Sequence, residues 1–156
     1  MRSQPCMETR RLHENDLELL ASAIWLLISE EDRSDNIASD AYLKQALTDK
    51  NCYFILSVID STPIGYLSAF RFPAVETTSF QVYLYDIVVD KNFRRKGIGT
   101  QMIKELKRCC IEDQVSRIWV GTSLDNEAAK RTFEVTGARK VRETYIEYIY
   151  HLDEGT

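Results

Sequence analysis

A basic turn containing two glycines carries the most distinctive chemistry of this chain. It joins the apolar run Tyr85–Val89 to a run with helical periodicity and reads, in order, Arg94, Arg95, Lys96, Gly97, Ile98, Gly99 and Thr100. The first amides of a helix lack intrahelical acceptors and carry the positive end of the helix dipole, and glycine lets an anion approach the backbone. The basic side chains add positive charge at the same place. The turn therefore predicts a binding site for a phosphate or diphosphate group.

The spacing of this turn separates it from the two commonest phosphate-binding loops. It has the form Arg-x-x-Gly-x-Gly, and the chain contains neither Gly-x-x-x-x-Gly-Lys-Ser/Thr nor Gly-x-Gly-x-x-Gly. This difference argues against nucleoside triphosphatases and dinucleotide-dependent dehydrogenases. A basic turn that only begins a surface helix, with no ligand, is the alternative interpretation.

One carboxylate, Asp86, interrupts the most apolar predicted strand, Phe80–Val89. A carboxylate among apolar residues is costly to bury unless it is paired or hydrated. Such a group could orient an amine, or accept the proton that an amine must lose before it attacks an acyl group. An unbroken strand would place Leu84, Asp86 and Val88 on one face, and Tyr83, Tyr85, Ile87 and Val89 on the other. The alternative for Asp86 is a structural carboxylate paired with an arginine or with backbone amides.

Further acidic residues could bind a cationic substrate. Glu143 and Glu147 share strand parity and would project from one face of an unbroken strand. Other acids precede the second predicted helix or close the chain, namely Glu30, Glu31, Asp32, Asp35, Asp153 and Glu154. We expect most of these to be solvated surface residues. A polyamine would nevertheless need several of them, because each charge-assisted hydrogen bond contributes about 1.5–3 kcal/mol.

Composition restricts the class of protein. The 156 residues are 44% hydrophobic with a mean hydropathy of -0.30, so one compact domain over residues 1–156 is expected. The net charge of -4 argues against a nucleic-acid partner and is compatible with a polycationic ligand. No apolar run approaches the roughly 18 residues of a membrane span, and no signal-like segment opens the chain.

The cysteines and histidines do not form a metal-binding pattern. The four cysteines have no Cys-x-x-Cys spacing, and His13 and His151 are the only histidines. We therefore expect no metal, and thiols that stay reduced in the cytoplasm. Cys109 and Cys110 are poor candidates for a nucleophile because they lie late in a predicted helix, away from its positive end.

Alternating strands and helices are expected to position these residues. Strands are predicted over Pro5–Arg11, Cys52–Ile59, Ile64–Phe72, Phe80–Val89 and Arg117–Thr122, with one or two more within Ala138–Leu152. Helices are predicted from a cap at Asn15 or Asp16, over Ser39–Thr48, from the basic turn to about Asp113, and over Asn126–Thr136. Gly137 would end the last helix, Asp60–Pro63 would form a hairpin turn, and Arg71–Ser79 would form a longer loop.

The basic turn resembles the acetyl-CoA signature of the GCN5-related N-acetyltransferases (the GNAT family), which lies between the fourth strand and the next helix. The order of elements resembles that fold over nearly the whole chain. A second motif of the family, Asn-x-x-Ala-x-x-x-Tyr followed by Gly-Phe, is matched by Asn126, Ala129, Phe133, Gly137 and Ala138. The resemblance implies an α/β fold of the α+β type, with a mixed central sheet of six to seven strands flanked by about four helices.

The resemblance also implies acetyl-CoA as cosubstrate, without a metal. The backbone of Ile87–Val89 would bind the pantetheine arm, and the amide of Val88 would polarise the thioester carbonyl. The basic turn from Arg94 to Thr100 would hold the diphosphate. Asn126 would bond the pantetheine or serve only as a helix cap. Phe133 replaces the tyrosine that can protonate the departing thiolate, which leaves Tyr83, Tyr85 or water as candidate acids.

A narrower resemblance concerns the acceptor. The segments Asp40–Leu43, Gly65–Pro73 and Val82–Gly99 look like the aminoglycoside 3-N-acetyltransferases of the gentamicin-resistance type, over roughly residues 36 to 143. This implies acetyl transfer to an aminoglycoside amine by direct attack in a ternary complex. The candidates for the substrate side are Asp86, Tyr85, Glu143 and Glu147. Alternatives are another amine, such as a polyamine, an amino acid or a protein lysine, and a non-catalytic acyl-CoA-binding module. The amine position and the range of drugs stay open, and a homodimer is compatible with the sequence.

Overall fold

The computed structural model describes residues 6–28, 38–142 and 146–152. Within these ranges the chain forms five strands and four α-helices. The strands are β1 (Met7–Arg11), β2 (Cys52–Ile59), β3 (Thr62–Ala74), β4 (Ser79–Val89) and β5 (Val115–Val120). The helices are α1 (Leu17–Leu27), α2 (Asp40–Thr48), α3 (Ile98–Glu112) and α4 (Glu127–Val135).

The strands form one mixed sheet in the order β1-β2-β3-β4-β5. The pairs β1–β2, β2–β3 and β3–β4 are antiparallel, and β5 is parallel to β4. A parallel pair needs a crossover connection, which α3 provides between β4 and β5. The expected α+β organisation with a mixed sheet is therefore confirmed.

The predicted number of strands is wrong for the described residues, where the sheet has five strands instead of six to seven. Residues 138–142 and 146–152 belong to no strand. The apolar side chains of the latter segment are largely exposed, from 72% for Ile149 to 93% for Leu152. Aromatic and β-branched residues favour strands only where a neighbouring strand and a packing surface are available. Glu143, Asp153, Glu154 and the acidic residues between positions 30 and 35 lie outside the described residues.

Apolar side chains pack on both faces of the sheet. One core lies between the sheet and α3 and includes Leu67, Val82, Leu84, Met102 and Leu106. The other lies on the α1 and α2 face and includes Leu20, Leu43, Phe54, Leu56 and Tyr66. Strands β2 and β3 contribute to both cores, which explains their nearly continuous apolar sequences.

Close packing of α3 on β3 fixes the position of the basic turn. The predicted buried positions of this helix are confirmed, since Ile98, Met102, Leu106 and Cys110 are all buried. A Cβ at Gly65 would lie 3.0 Å from Ile98 Cγ2 and 3.0 Å from Met102 Cε. The glycine therefore lets the first turns of α3 approach the sheet closely.

The turn between β2 and β3 is shorter than predicted, and strand β3 is longer than predicted. Strands β2 and β3 are joined by Asp60 and Ser61, whose φ values of 48° and 66° are left-handed, as in the two-residue turns that suit hairpin twist. Strand β3 continues through Pro73 to Ala74, where a loop was predicted from Arg71 to Ser79. Pro73 pairs in register with Phe80, so the loop is only the short turn between Ala74 and Ser79.

Candidate active site

The basic turn presents backbone amides at the start of α3. Arg95 and Gly97 adopt left-handed φ values of 62° and 77°, which is a backbone arrangement able to form an anion-binding concavity. The first intrahelical bond runs from the Gln101 amide to the Gly97 carbonyl at 3.0 Å, and Gly97 offers no capping side chain. The amides of the first three helical residues, Ile98, Gly99 and Thr100, thus precede the helical ladder and can donate to an anion.

The three cations of the turn are exposed and lie around these amides. The Arg94 Nε donates to the Val89 carbonyl at 3.1 Å, which ties the turn to the end of β4. The Lys96 ammonium lies 5.1 Å from the Phe93 ring centroid. Upstream, the Asp90 carboxylate accepts from the Asn92 amide at 2.8 Å and begins a short 3-10 turn over Lys91–Phe93.

A β-bulge at Tyr85 overturns the predicted alternation along β4. Ser68 pairs with Asp86 and Ala69 pairs with Leu84, so Tyr85 has no partner in β3. Before the bulge, Leu84 packs in the α3 core; after it, Ile87 and Val89 pack there. The prediction that Leu84 and Asp86 share a face is therefore wrong. Asp86 lies on the opposite face of the sheet from α3.

The neighbours of Asp86 are polar and aromatic residues of β3. Ser68 is its register partner, and the buried Tyr66 lies close enough to sense its charge. Burial raises the pKa of Tyr66 to about 12, and the Asp86 carboxylate raises it as well. The Tyr66 hydroxyl therefore stays protonated at neutral pH. Tyr85 lies on the same face, with its ring edge-to-face against Phe70 at a centroid distance of 5.9 Å.

The pairing of β4 with β5 ends before the basic turn and leaves an opening along the rest of β4. Their pairing extends from Phe80 to Leu84 in β4, so the second half of β4 has no β5 partner. The Asp90 amide donates to the Ile64 carbonyl at 2.9 Å, which fixes the alternation of hydrogen bonds in this register. The amide of Val88, expected at the thioester carbonyl, is thus directed at β3. The backbone groups of Ile87 and Val89 face the opening instead.

Helix α4 borders the same opening. The Asn126 Oδ1 accepts from the Ala129 amide at 3.1 Å, so this side chain caps the helix. Phe133 packs against the α3 core and lines an apolar cavity of about 260 Å³ between α3, β5 and α4. Thr132, which the sequence did not single out, approaches the turn, with its Cγ2 3.6 Å from the Cβ position of Gly99. The position of Thr132 beside the turn follows from the packing of α4 on α3, which the sequence does not reveal.

The structure brings together the basic turn, the unpaired half of β4 and Asp86. It does not bring every predicted site residue to the same place. Glu147 lies in the exposed segment 146–152, which forms no strand, so the strand face that it was expected to share with Glu143 has no counterpart there. Sequence reasoning also missed Phe70, Tyr83 and Trp119 as a group, because cross-strand register is not readable from one strand.

Two adjacent cysteines of α3 have buried thiols. Cys109 and Cys110 are both buried, and burial raises the pKa of Cys110 to about 12. Both therefore stay protonated at neutral pH. In the ranges that the structure describes, no three His, Cys, Asp or Glu side chains converge as a metal site. No helix in that part of the chain is both long and apolar enough to cross a bilayer.

Comparison with known proteins identifies the family. Residues 20–138 match the acetyltransferase (GNAT) family. An aminoglycoside acetyltransferase, meta-AAC0020, from an uncultured soil metagenomic sample and solved with trehalose, has a TM-score of 0.80 at 22% identity, covering 94% of this chain and 96% of that one. The aminoglycoside N-acetyltransferase AAC(6')-Iy in complex with CoA has a TM-score of 0.73 at 20% identity, covering 96% and 98%.

A curated relative matches a shorter stretch. N-alpha-acetyltransferase 30 of Xenopus laevis is 27% identical over 71 residues, which are 46% of this chain and 26% of that protein. The chain thus aligns with about a quarter of that relative's length. The structural neighbours establish the fold, and the family match extends from α1 to just beyond α4. The chain therefore belongs to the acetyltransferase (GNAT) family of N-acetyltransferases.

Proposed function

We propose that this GNAT enzyme transfers acetyl from acetyl-CoA to an amino group of an aminoglycoside by direct attack in a ternary complex. The observation that carries the proposal is the opening along β4 after Leu84, where β4 has no β5 partner and lies against Gly99 at the start of α3. One end of this opening suits a diphosphate and the other leads to Asp86. An extended cofactor lying in the opening would direct its thioester towards that carboxylate.

The turn suits the phosphate end of coenzyme A. Amides of Ile98, Gly99 and Thr100 would donate to the diphosphate, and the cations Arg94, Arg95 and Lys96 would offset its charge. A Cβ at Gly97 would meet no atom within 4 Å, so the backbone is open on that side. The pantetheine arm would lie along Ile87–Val89. The amide nitrogen of Asn126 would donate to it while Oδ1 caps α4.

The register of β4 supports Ile87, in place of Val88, as the proposed donor of the oxyanion contact. An amide that faces the opening can donate to the thioester oxygen as negative charge develops there, and one such donor contributes about 3 kcal/mol to an acyl-transfer barrier. The amine nitrogen attacks the carbonyl carbon, the C–S bond breaks, and the thiolate leaves. With a thiol pKa near ~8.5, this step does not depend on an acid at Phe133.

Asp86 is proposed to orient the acceptor and to accept its proton, directly or through water. Its location on the face opposite α3 keeps it apart from the diphosphate cations. The aminoglycoside assignment is supported by structural neighbours that are aminoglycoside acetyltransferases, one of them solved with sisomicin at 22% identity and a TM-score of 0.79. A peptide amine is the second candidate, because the curated relative is an N-alpha-acetyltransferase.

An amine panel tests the proposal. Purified protein with acetyl-CoA is offered gentamicin, sisomicin, spermidine and a peptide with a free N-terminus, and released thiol is measured. We expect release with the two aminoglycosides, and mass spectrometry of the product would locate the acetylated nitrogen. Release with spermidine or peptide alone would reject the aminoglycoside. Coenzyme binding without release for any amine would reject turnover and leave an acyl-CoA-binding module.

A further inference from the structure

Three aromatic side chains form a row across the sheet on the face that carries Asp86. Phe70 of β3 is the register partner of Tyr83 of β4, and Tyr83 is the register partner of Trp119 of β5. The three are 38%, 42% and 36% exposed, so their rings are partly open to a ligand. Directly opposed side chains of antiparallel strands lie about 4.5–5.5 Å apart at Cβ, which applies to Phe70 and Tyr83. The three side chains thus lie side by side on one face of the sheet, and we call them the aromatic row.

Neighbouring side chains hold the rings of the aromatic row. The Trp119 Nε1 donates to Gln81 Oε1 at 2.5 Å. The Arg117 guanidinium lies 5.3 Å from the Trp119 ring centroid. At the other end, Phe70 makes edge-to-face contacts with Phe54 and Tyr85, at centroid distances of 6.4 and 5.9 Å. A ligand would therefore meet Trp119 and Phe70 rings that their neighbours already hold, which lowers the entropy lost on binding.

The bulge at Tyr85 brings Asp86 beside the aromatic row. From Tyr83 to Asp86 the ladder advances by only two steps, because Tyr85 is extra. Two steps correspond to roughly 7 Å along the strand. Without the bulge, Asp86 and Tyr83 would lie on opposite faces. The extra residue thus places a carboxylate and an aromatic surface on one side of the sheet.

The chemistry of this surface selects one kind of occupant. Aromatic faces carry the negative side of the ring quadrupole and attract cations and polarised C–H groups. Asp86 lies on one side of the row and would attract an ammonium group, whereas Arg117 lies on the other side and would repel one. A ligand that has an apolar ring face and an amine on the Asp86 side fits both charges.

We propose that the aromatic row binds the C–H face of the aminosugar ring whose amine is acetylated, with that amine directed at Asp86. The proposal rests on the proposed function for the identity of the acceptor. Acceptor affinity then depends on ring contacts at Tyr83 and Trp119 in addition to carboxylates. Phe70 contacts Tyr85 from β3 and lies beside Tyr83 in register. Tyr83 and Trp119 then determine which aminosugars fit.

Steady-state kinetics with gentamicin tests the aromatic row. We expect Trp119→Ala and Tyr83→Ala to raise the acceptor KM about three- to tenfold, the range that aromatic contacts produce. Trp119→Phe and Tyr83→Phe should restore most of the affinity, and acetyl-CoA binding should not change. Phe80→Ala is the matched control, because Phe80 is 41% exposed on the same strand but lies by alternation on the α3 face. Unchanged acceptor KM in both alanine variants would overturn the proposal.

A fluorescence titration separates this proposal from the proposed function. The chain has two tryptophans, so Trp25→Phe leaves Trp119 as the only indole. Gentamicin added to the CoA complex of this variant should shift the Trp119 emission saturably. A shift without acetylation would support the row and reject the catalytic assignment. Acetylation without a shift would reject the row and leave the catalytic assignment intact, and the absence of both would reject both.

Discussion

Two glycines of the basic turn have different physical roles. Gly97 has a φ of 77°, and a Cβ added there would have no atom within 4 Å, so its need for glycine is conformational. Gly99 lies in α3, and a Cβ there would make ordinary contacts with Thr132 Cγ2 at 3.6 Å and Ile87 Cδ1 at 3.8 Å. The backbone conformation therefore disfavours a side chain at Gly97 but not at Gly99.

Alanine substitutions at these glycines should change stability in opposite directions. Gly97→Ala should lower the free energy of unfolding by about 1–2 kcal/mol, since an L-residue is strained in the left-handed region. Gly99→Ala should raise it by about 0.5–1 kcal/mol, because alanine favours the helix and its methyl group fits. Urea denaturation of both variants measures the difference. Equal effects of the two changes would contradict the separate roles.

Asp86→Asn tests the carboxylate with almost no change in volume. We expect coenzyme affinity to be retained and kcat to fall by about 10²-fold or more, because the amine loses its proton acceptor. Glu76→Gln, on the exposed turn between β3 and β4, is the matched control and should behave like the wild type. Calorimetry and thiol release measure the two quantities. Unchanged turnover in Asp86→Asn would remove Asp86 from the mechanism.

At the scale of elements, strand existence was predictable but strand pairing was not. The strand Cys52–Ile59 was predicted with the observed bounds, and Phe80–Val89 within one residue of them. The sequence around Tyr85 contains no glycine or proline to mark a bulge. The bulge follows from the fit between β3 and β4, so alternation applied to β4 alone assigned Asp86 to the wrong face.

The turn and its helix were predictable for a local reason. Left-handed backbone at Gly97, free amides at the start of α3 and the amphipathic face of that helix all depend on neighbouring residues. The C-cap at Gly137, with a φ of 95°, is confirmed on the same basis. The aromatic row depends on residues from three strands that are up to 49 positions apart (119 - 70), and only the register reveals it.

An ion pair attaches the start of α1 to β1. Asp16 was predicted as a helix cap, and it occupies the N-cap position, but its side chain bonds Arg10 instead of a helix amide. Both carboxylate oxygens accept from the guanidinium at 2.8 Å, and Oδ2 also accepts from the His13 amide at 2.8 Å. The hydrogen bond from Arg10 lowers the pKa of Asp16. The pair thus links a strand to the first helix of the second core.

Asp16→Asn should destabilise the protein in a pH-dependent way. We expect a loss of about 1 kcal/mol at pH 7, since the pair is partly exposed. Because the pKa is lower in the folded protein, the contribution of the carboxylate is complete above the unfolded value near ~3.9 and is lost as pH falls through the folded pKa. The free energies of unfolding of the wild type and of Asp16→Asn, measured as a function of pH, should therefore converge at acid pH. Glu14→Gln, an exposed neighbour, is the control, and a constant difference down to pH 2 would contradict the assignment.

At the scale of the whole molecule, charge is unevenly distributed. The chain carries a net charge of -4, which would repel coenzyme A at long range, yet three cations lie together at Arg94, Arg95 and Lys96. Screening at physiological salt limits charge effects to about 8 Å, so under the proposed function these local cations would outweigh the net charge at the diphosphate. The acidic remainder of the surface can then attract a polycationic acceptor without preventing coenzyme binding.

Coenzyme A should stabilise the fold through this turn. At a concentration of 100 Kd the expected gain is about 2.7 kcal/mol, visible as a rise in Tm, and the gain at fixed coenzyme should decrease with salt. Gly97→Asp should abolish the shift, because it adds a negative charge and a strained backbone at the proposed diphosphate site. Gly137→Asp is the control, since it introduces the same residue at a left-handed glycine at the far end of α4 and should lower the starting Tm while retaining the coenzyme-dependent rise. A rise that survives in Gly97→Asp would mean that coenzyme A binds elsewhere, and no rise in the wild type would remove the basis for acetyl transfer by this chain.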